Sequence, residues 1–220
     1  MNYNKYISTS GLDSIALRKI FDCLENINTK TINILEFGSG YSTDFLIDYK
    51  LYSNKNIIID SYDNDINYCY KNKKNHPFLN LNVKPLISCN NEDYHKLFEE
   101  KIYNPSYFHL HNMLPYNHPK FWRQKNCFYQ IENLKDHYDL VIIDGPNGNG
   151  RNIAYLHIKD KVKKNSIIFI DDYNAKDNDY NYEFIPNLKK IINVEEIYTH
   201  KKAIQPTWKN GGFFAIYKVI

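Results

Sequence analysis

Along the chain, short apolar runs alternate with longer stretches of helical period. That alternation marks βαβ units built around a parallel sheet. Leu12, Ile15, Ile20, Leu24 and Ile27 recur at near-helical spacing, and Asp13 or Ser14 can start that helix. An apolar strand over 32–37 closes on Gly38-Ser39-Gly40, and a helix is predicted over 42–51. A second strand passes through Ile57-Ile58-Ile59, and Asp65 can cap the following helix, which holds Tyr68, Cys69 and Tyr70. A third strand is predicted over 83–87. Later come a strand over 138–144, a helix over 151–164, a strand over 166–171 and a helix over 182–192. Two final strands, 195–199 and 212–219, form a hairpin around Pro206 and Asn210.

Residues 89–137 break this rhythm. They hold Pro105, Pro115 and Pro119, four histidines besides His137, and many aromatics without a clear period. Such a segment inside a compact domain reads as a lid or cap on the substrate side. The expectation is one domain, 1–220, of α/β class: a Rossmann-like, doubly wound, seven-stranded sheet with a C-terminal antiparallel hairpin and an insert before strand four.

Composition narrows the function classes. The chain has 220 residues, 43% hydrophobic and 24% charged, which suits one globular domain. Lys+Arg 28 against Asp+Glu 25 leaves a net charge of +3, so no large polyanion-binding face and no nucleic-acid partner are expected. No apolar run approaches the ~18 residues of a membrane span, and the first residues lack a signal-peptide core. No membrane association is expected. Cys23, Cys69, Cys89 and Cys127 share no CxxC spacing, which fits a reducing compartment and a cytoplasmic location. The bias toward Asn, Ile, Lys and Tyr suggests an A+T-rich genome, such as a low-GC bacterium, a cellular parasite or a large DNA virus. In the viral case the location is the host cytoplasm.

Four strand ends carry candidate chemistry. The first is Glu36-Phe37-Gly38-Ser39-Gly40-Tyr41-Ser42-Thr43. Glycines there let a ligand approach the backbone, and the helix start offers free N–H groups. An acidic residue two before the first glycine suits a cationic ligand better than a pyrophosphate, and Thr43 stands where GxGxxG has its third glycine. A plain tight turn with a solvated Glu36 is the other possibility. The second is Ser61-Tyr62-Asp63-Asn64-Asp65, 25 residues beyond Gly38, where Asp63 can accept both hydroxyls of a ribose, unless these acids only cap and solvate. The third is Asp144-Gly145-Pro146-Asn147-Gly148-Asn149-Gly150-Arg151, ending a buried strand. Its glycines let the loop close around a substrate, and Asn147 and Arg151 can hold an anionic or hydroxylated group; a simple turn with a surface arginine is the alternative.

The fourth is Asp171-Asp172-Tyr173. With Asp144 these two carboxylates converge on one crevice, and three oxygen ligands suit Mg²⁺. The competing role is loop capping. His109 and His111 share a strand face and His118 follows; Zn²⁺ would need a further ligand, with Cys127 the nearby thiol. A place in the cap, with His111 near the acceptor, is the simpler expectation. Trp122, Tyr129 and Tyr116 could stack on a sugar or form a minor core.

The run ILEFGSGYST resembles the glycine-rich first motif of class I S-adenosylmethionine-dependent methyltransferases. The resemblance implies that Glu36, Gly38, Ser39, Gly40 and Thr43 face the cofactor, with Glu36 at its positively charged methionine end and Asp63 and Asn64 at its ribose. LEFGSGYST with SYDND, and the DGP motif with its trailing glycine and arginine, are similar to methyltransferases of sugars and polysaccharides, including relatives of plant glucuronoxylan methyltransferases. Asp144, Asp171 and Asp172 look like the metal ligands of macrolide-tailoring sugar O-methyltransferases. The catechol-type lysine base is replaced by Asn147. The resemblance covers most of residues 32–175.

What it implies is O-methylation of a small-molecule or glycan hydroxyl, with S-adenosylmethionine and Mg²⁺ assistance; without metal, Asp144 or a histidine of the cap would be the base. An NAD-dependent oxidoreductase and a non-catalytic Rossmann-like interaction module are the alternatives. The missing third glycine and terminal hairpin weigh against the first, and the retained carboxylates against the second. Methylation of nucleic acid is disfavoured by the near-neutral charge and the lack of an NPPY-like motif.

Overall fold

Thr31–Phe37 (β1) and Tyr138–Ile143 (β7) are apolar runs that lie side by side in the middle of a seven-stranded sheet. Strands this apolar need cover on both faces, which helices on either side of a parallel sheet supply. The computed structural model describes residues 3–6, 12–67, 76–112, 125–173, 182–200 and 213–220. The other strands are Asn56–Asp63 (β2), Leu79–Val83 (β3), Val162–Asp171 (β8), Val194–Thr199 (β9) and Phe214–Val219 (β10). Their order is β3-β2-β1-β7-β8-β10-β9. The first five are parallel, and β10 runs antiparallel to both β8 and β9. This is the expected doubly wound sheet with its terminal antiparallel pair.

Alternate residues of each strand go to opposite faces. Ile32, Ile34, Ile57, Ile59, Leu140, Ile142 and Phe169 pack under Ser14–Asn26 (α1) and Tyr41–Tyr52 (α2). Leu35, Phe37, Val141, Ile143, Ile168 and Ile170 face Asn91–Glu100 (α3), Ile153–Ile158 (α4) and Phe184–Ile191 (α5). Asp13 caps α1, its Oδ1 accepting from the Ala16 N–H at 2.7 Å. The buried stripe of α1 is Ala16, Leu17, Ile20 and Leu24; Ile15, expected on that stripe, is 37% exposed.

Three other expectations shift. The third strand of the sheet is Leu79–Val83, and Leu86–Ser88 (β4) belongs instead to a small antiparallel sheet with His109–Leu110 (β5) and Cys127–Tyr129 (β6). The helix expected over 151–164 is a 3₁₀ turn, Asn149–Asn152, followed by α4, because Val162 already begins β8. The segment 89–137 holds α3 and the outer strands of the small sheet, with Tyr94, Leu97, Phe98 and Phe128 in the main core. The helix with Tyr68, Cys69 and Tyr70, the hairpin turn at Pro206 and Asn210, and Tyr116, His118 and Trp122 lie outside the described residues. No described helix is long and apolar enough to cross a membrane.

Candidate functional site

Three parallel strand ends are stitched together by backbone. The Gly38 N–H donates to the Tyr62 carbonyl at 2.8 Å, and the Asp144 N–H donates to the Phe37 carbonyl at 2.8 Å. Gly38 has φ +99°, the region glycine favours. A Cβ on Gly38 would lie 2.9 Å from the Asp144 carbonyl carbon; one on Gly145 would lie 2.8 Å from the Gly38 Cα and collide with the Tyr129 hydroxyl. The two glycine loops therefore touch directly. Gly40, at the start of α2, differs: a Cβ there would meet nothing within 4 Å. That is open space in front of a helix N-terminus, where a ligand can reach the backbone.

Beneath the turn Glu36 is fully buried. It accepts hydrogen bonds from Ser42 Oγ at 2.7 Å, Thr43 Oγ1 at 2.6 Å and Ser61 Oγ, whose oxygen also meets Ser39 Oγ at 2.6 Å. Thr43 Oγ1 accepts in turn from the Gly40 N–H at 3.0 Å, so the N3 side chain caps the first turn of a helix whose N-cap glycine has no side chain of its own. Glu36 thus ties β1, β2 and the first turn of α2 into one unit. Both carboxylate oxygens are engaged by these hydroxyls.

Asp63 ends β2 beside the same turn. Its Oδ1 accepts from the Asp65 N–H at 2.8 Å. Burial pushes its carboxyl up to about 6, while backbone N–H groups of Asp65, Asn64 and Ser39 pull it back. The Ser39 contribution brings the first two strand ends together: Ser39, Asp63 and Asn64 are neighbours, with Gly40 open alongside. This arrangement fits a nucleoside whose ribose diol donates to a carboxylate.

Across the crevice, Asp144, Asp171 and Asp172 converge around Arg151. The Arg151 side chain is only 5% exposed. Its Nε donates to the Pro146 carbonyl at 2.8 Å and its Nη1 to the Asp171 carbonyl at 3.2 Å. Asp172 Oδ2 lies 3.5 Å from Nη1, and Asp144 Oδ1 lies 3.8 Å from Nη2. The Asp144 and Asp171 carboxyls are close enough to influence each other's protonation. Burial raises the Asp144 carboxyl to about 7, against the pull of Arg151, and Asp171 is driven well above the ordinary carboxylate range by burial, then by Asp172 and Asp144.

The Mg²⁺ expected on this trio does not fit. Arg151 already stands among the three carboxylates, and among the described residues no group of three His, Cys, Asp or Glu side chains is placed to hold a metal ion. Asn147 is half-buried in the same loop. His111 follows β5 at the edge of the small sheet, where its Nδ1 is 3.1 Å from Ser88 Oγ; His109 Nε2 is 3.4 Å from the same oxygen. Burial, and then His109, lower the pKa of His111. Tyr129 is core, stacked on Phe37, with its hydroxyl against Gly145.

Sequence reasoning missed three features. Ser61 reads as an ordinary strand polar residue, yet it completes the Glu36 network. Asp60 accepts from Lys135 Nζ at 2.6 and 2.7 Å and from Tyr138 Oη at 2.8 Å, pinning the end of the insert to β2. Helix α3 carried signals of its own: Asn90 as N-cap, and Tyr94, Leu97 and Phe98 at helical spacing.

No protein-family model matches the chain, and no curated protein does either. Solved structures do share the fold. One, described as an rRNA methylase from Clostridium thermocellum, aligns over 93% of this chain and 97% of its own, with TM-score 0.53 and 10% identity. The CurJ carbon methyltransferase aligns over 94% of this chain and 54% of its own, with TM-score 0.52 and 9% identity. A protein described as a spermidine synthase from Corynebacterium glutamicum aligns over 96% and 66%, with TM-score 0.51 and 8% identity. At such identities the likeness establishes the fold; the reaction has to be argued from the site.

Proposed function

We propose that this protein is an S-adenosylmethionine-dependent methyltransferase that methylates a hydroxyl of a small-molecule or glycan acceptor. One observation carries this: Asp63 and the open face of Gly40 flank the same Gly38–Gly40 turn, opposite a carboxylate strand end on β7. Bound S-adenosylmethionine would supply a methyl group on a positively charged sulfur. The chain's own residues do the rest. Asp63 holds the ribose diol, and the Glu36 hydroxyl network fixes the turn beneath the methionine end. Asp144, whose side chain is 17% exposed and lies at the end of β7 facing the glycine turn, takes the proton of the acceptor hydroxyl. Its raised pKa places it near the operating pH of a general base. Asn147 and segment 89–137 border the acceptor.

The NAD alternative gains nothing from the site. Thr43, in the place of the third glycine, is buried and bonded to Glu36. The test is transfer of label from methyl-labelled S-adenosylmethionine to a panel of nucleotide sugars and oligosaccharides. Label in a base-stable ether on one acceptor class supports the proposal; no transfer to any hydroxyl acceptor, with transfer to amines or nucleic acid instead, overturns its acceptor half.

A further inference from the structure

Carboxylates at the ends of two adjacent parallel strands repel one another unless something positive stands between them. Here that something is part of the chain. We propose that Arg151 is the resident cation of this crevice, holding Asp144, Asp171 and Asp172 in the arrangement a divalent ion would otherwise impose and so keeping such an ion out. This goes beyond the proposed reaction and is tested separately from it.

The geometry supports the proposal from three directions. The guanidinium is anchored by two carbonyls, Pro146 after β7 and Asp171 at the end of β8, so it is held in place independently of the carboxylates. From that anchor it lies within 3.8 Å of carboxylate oxygens of both Asp144 and Asp172. An ion at the ~2.1 Å that Mg²⁺ requires from the same oxygens would stand no more than about 6 Å from a buried guanidinium. In low-dielectric surroundings two cations that close repel strongly. Lysine could not replace this group: one ammonium cannot reach the Pro146 carbonyl, the Asp171 carbonyl and two carboxylates in fixed directions.

The experiment is Mn²⁺ titration followed by electron paramagnetic resonance, on wild type, Arg151→Met and Arg151→Lys, with circular dichroism as the folding control. Wild type should show no saturable site in the low-millimolar range. Arg151→Met, which keeps the volume and removes the charge, should bind one Mn²⁺ at least tenfold more tightly than wild type, and Asp171→Asn in that background should abolish the site. Arg151→Lys should fall between the two. A saturable Mn²⁺ site in wild type that Asp171→Asn removes would overturn the proposal, as would a folded Arg151→Met protein that gains no Mn²⁺ affinity. If Arg151→Met does not fold, the wild-type titration and the Lys variant decide.

Discussion

Gly38 and Asp144 meet through backbone: a Cβ on Gly38 would come within 2.9 Å of the Asp144 carbonyl carbon. The turn proposed to cradle the cofactor and the strand end proposed to carry the base are therefore one rigid unit. Two glycines of the same turn should respond to substitution in opposite ways. Gly38→Ala meets backbone at a φ of +99° and should lower the melting temperature by several degrees. Gly40→Val faces open space, so stability should hold while affinity for S-adenosylhomocysteine falls at least about tenfold. Thermal shift and calorimetry on the two variants separate the roles.

Among Gly38, Gly40, Gly145 and Gly150, Gly150 should be the least replaceable. Any Cβ there collides with the Cys127 carbonyl of the small sheet, so Gly150→Ala should express as insoluble protein or unfold far below wild type, as solubility and melting curves would show.

The Glu36 network should couple stability to cofactor binding. Glu36→Ala leaves the hydroxyls of Ser42, Thr43 and Ser61 without their buried acceptor, at about 1–3 kcal/mol for each left unsatisfied. Denaturant unfolding should show a loss of that order, with weaker S-adenosylhomocysteine binding in parallel. Glu36→Gln should lose less of both.

Asp144 should set two pH dependences of known sign. Its folded pKa is raised to about 7, so the protonated form is favoured in the fold; its contribution to stability is present below about pH 4 and is lost as pH rises through about 7. The melting temperature of wild type relative to Asp144→Asn should therefore fall across that window. Catalysis runs the other way, because a base must be ionised: turnover should rise through the same pH range. Asp144→Asn should cut kcat by about 10²–10⁴ while cofactor affinity stays near wild type.

Much of this was legible in the sequence because parallel α/β sheets put ligands at strand ends, and strand ends are marked by glycine and acid. Glu36, Gly38, Asp63 and Asp144 are such marks. The third strand was misplaced because Leu79–Val83 and Leu86–Ser88 are separated by only two residues, and the pattern does not say which joins the large sheet. Arg151 was visible as a residue and not as a counter-ion. Its reach to Pro146, Asp171 and Asp172 depends on the loop bringing two strand ends together, which no local spacing encodes. His111 was expected in the cap near the acceptor; its contact with Ser88, which joins it to the small sheet, is a tertiary pairing that no local spacing encodes.

Asp63 gives a further sign. With its carboxyl at about 6, ribose binding should strengthen as pH rises from 5 to 7.5, and Asp63→Asn should flatten that dependence.

The most direct measurement is isothermal titration of the protein with S-adenosylhomocysteine and with NAD, in wild type and Asp63→Ala. The predicted result is saturable one-to-one binding of S-adenosylhomocysteine, no saturable binding of NAD, and a loss of at least about tenfold in Asp63→Ala, since charge-assisted bonds of about 1.5–3 kcal/mol are removed. Binding of NAD without S-adenosylhomocysteine, or unchanged S-adenosylhomocysteine affinity in Asp63→Ala, would contradict it.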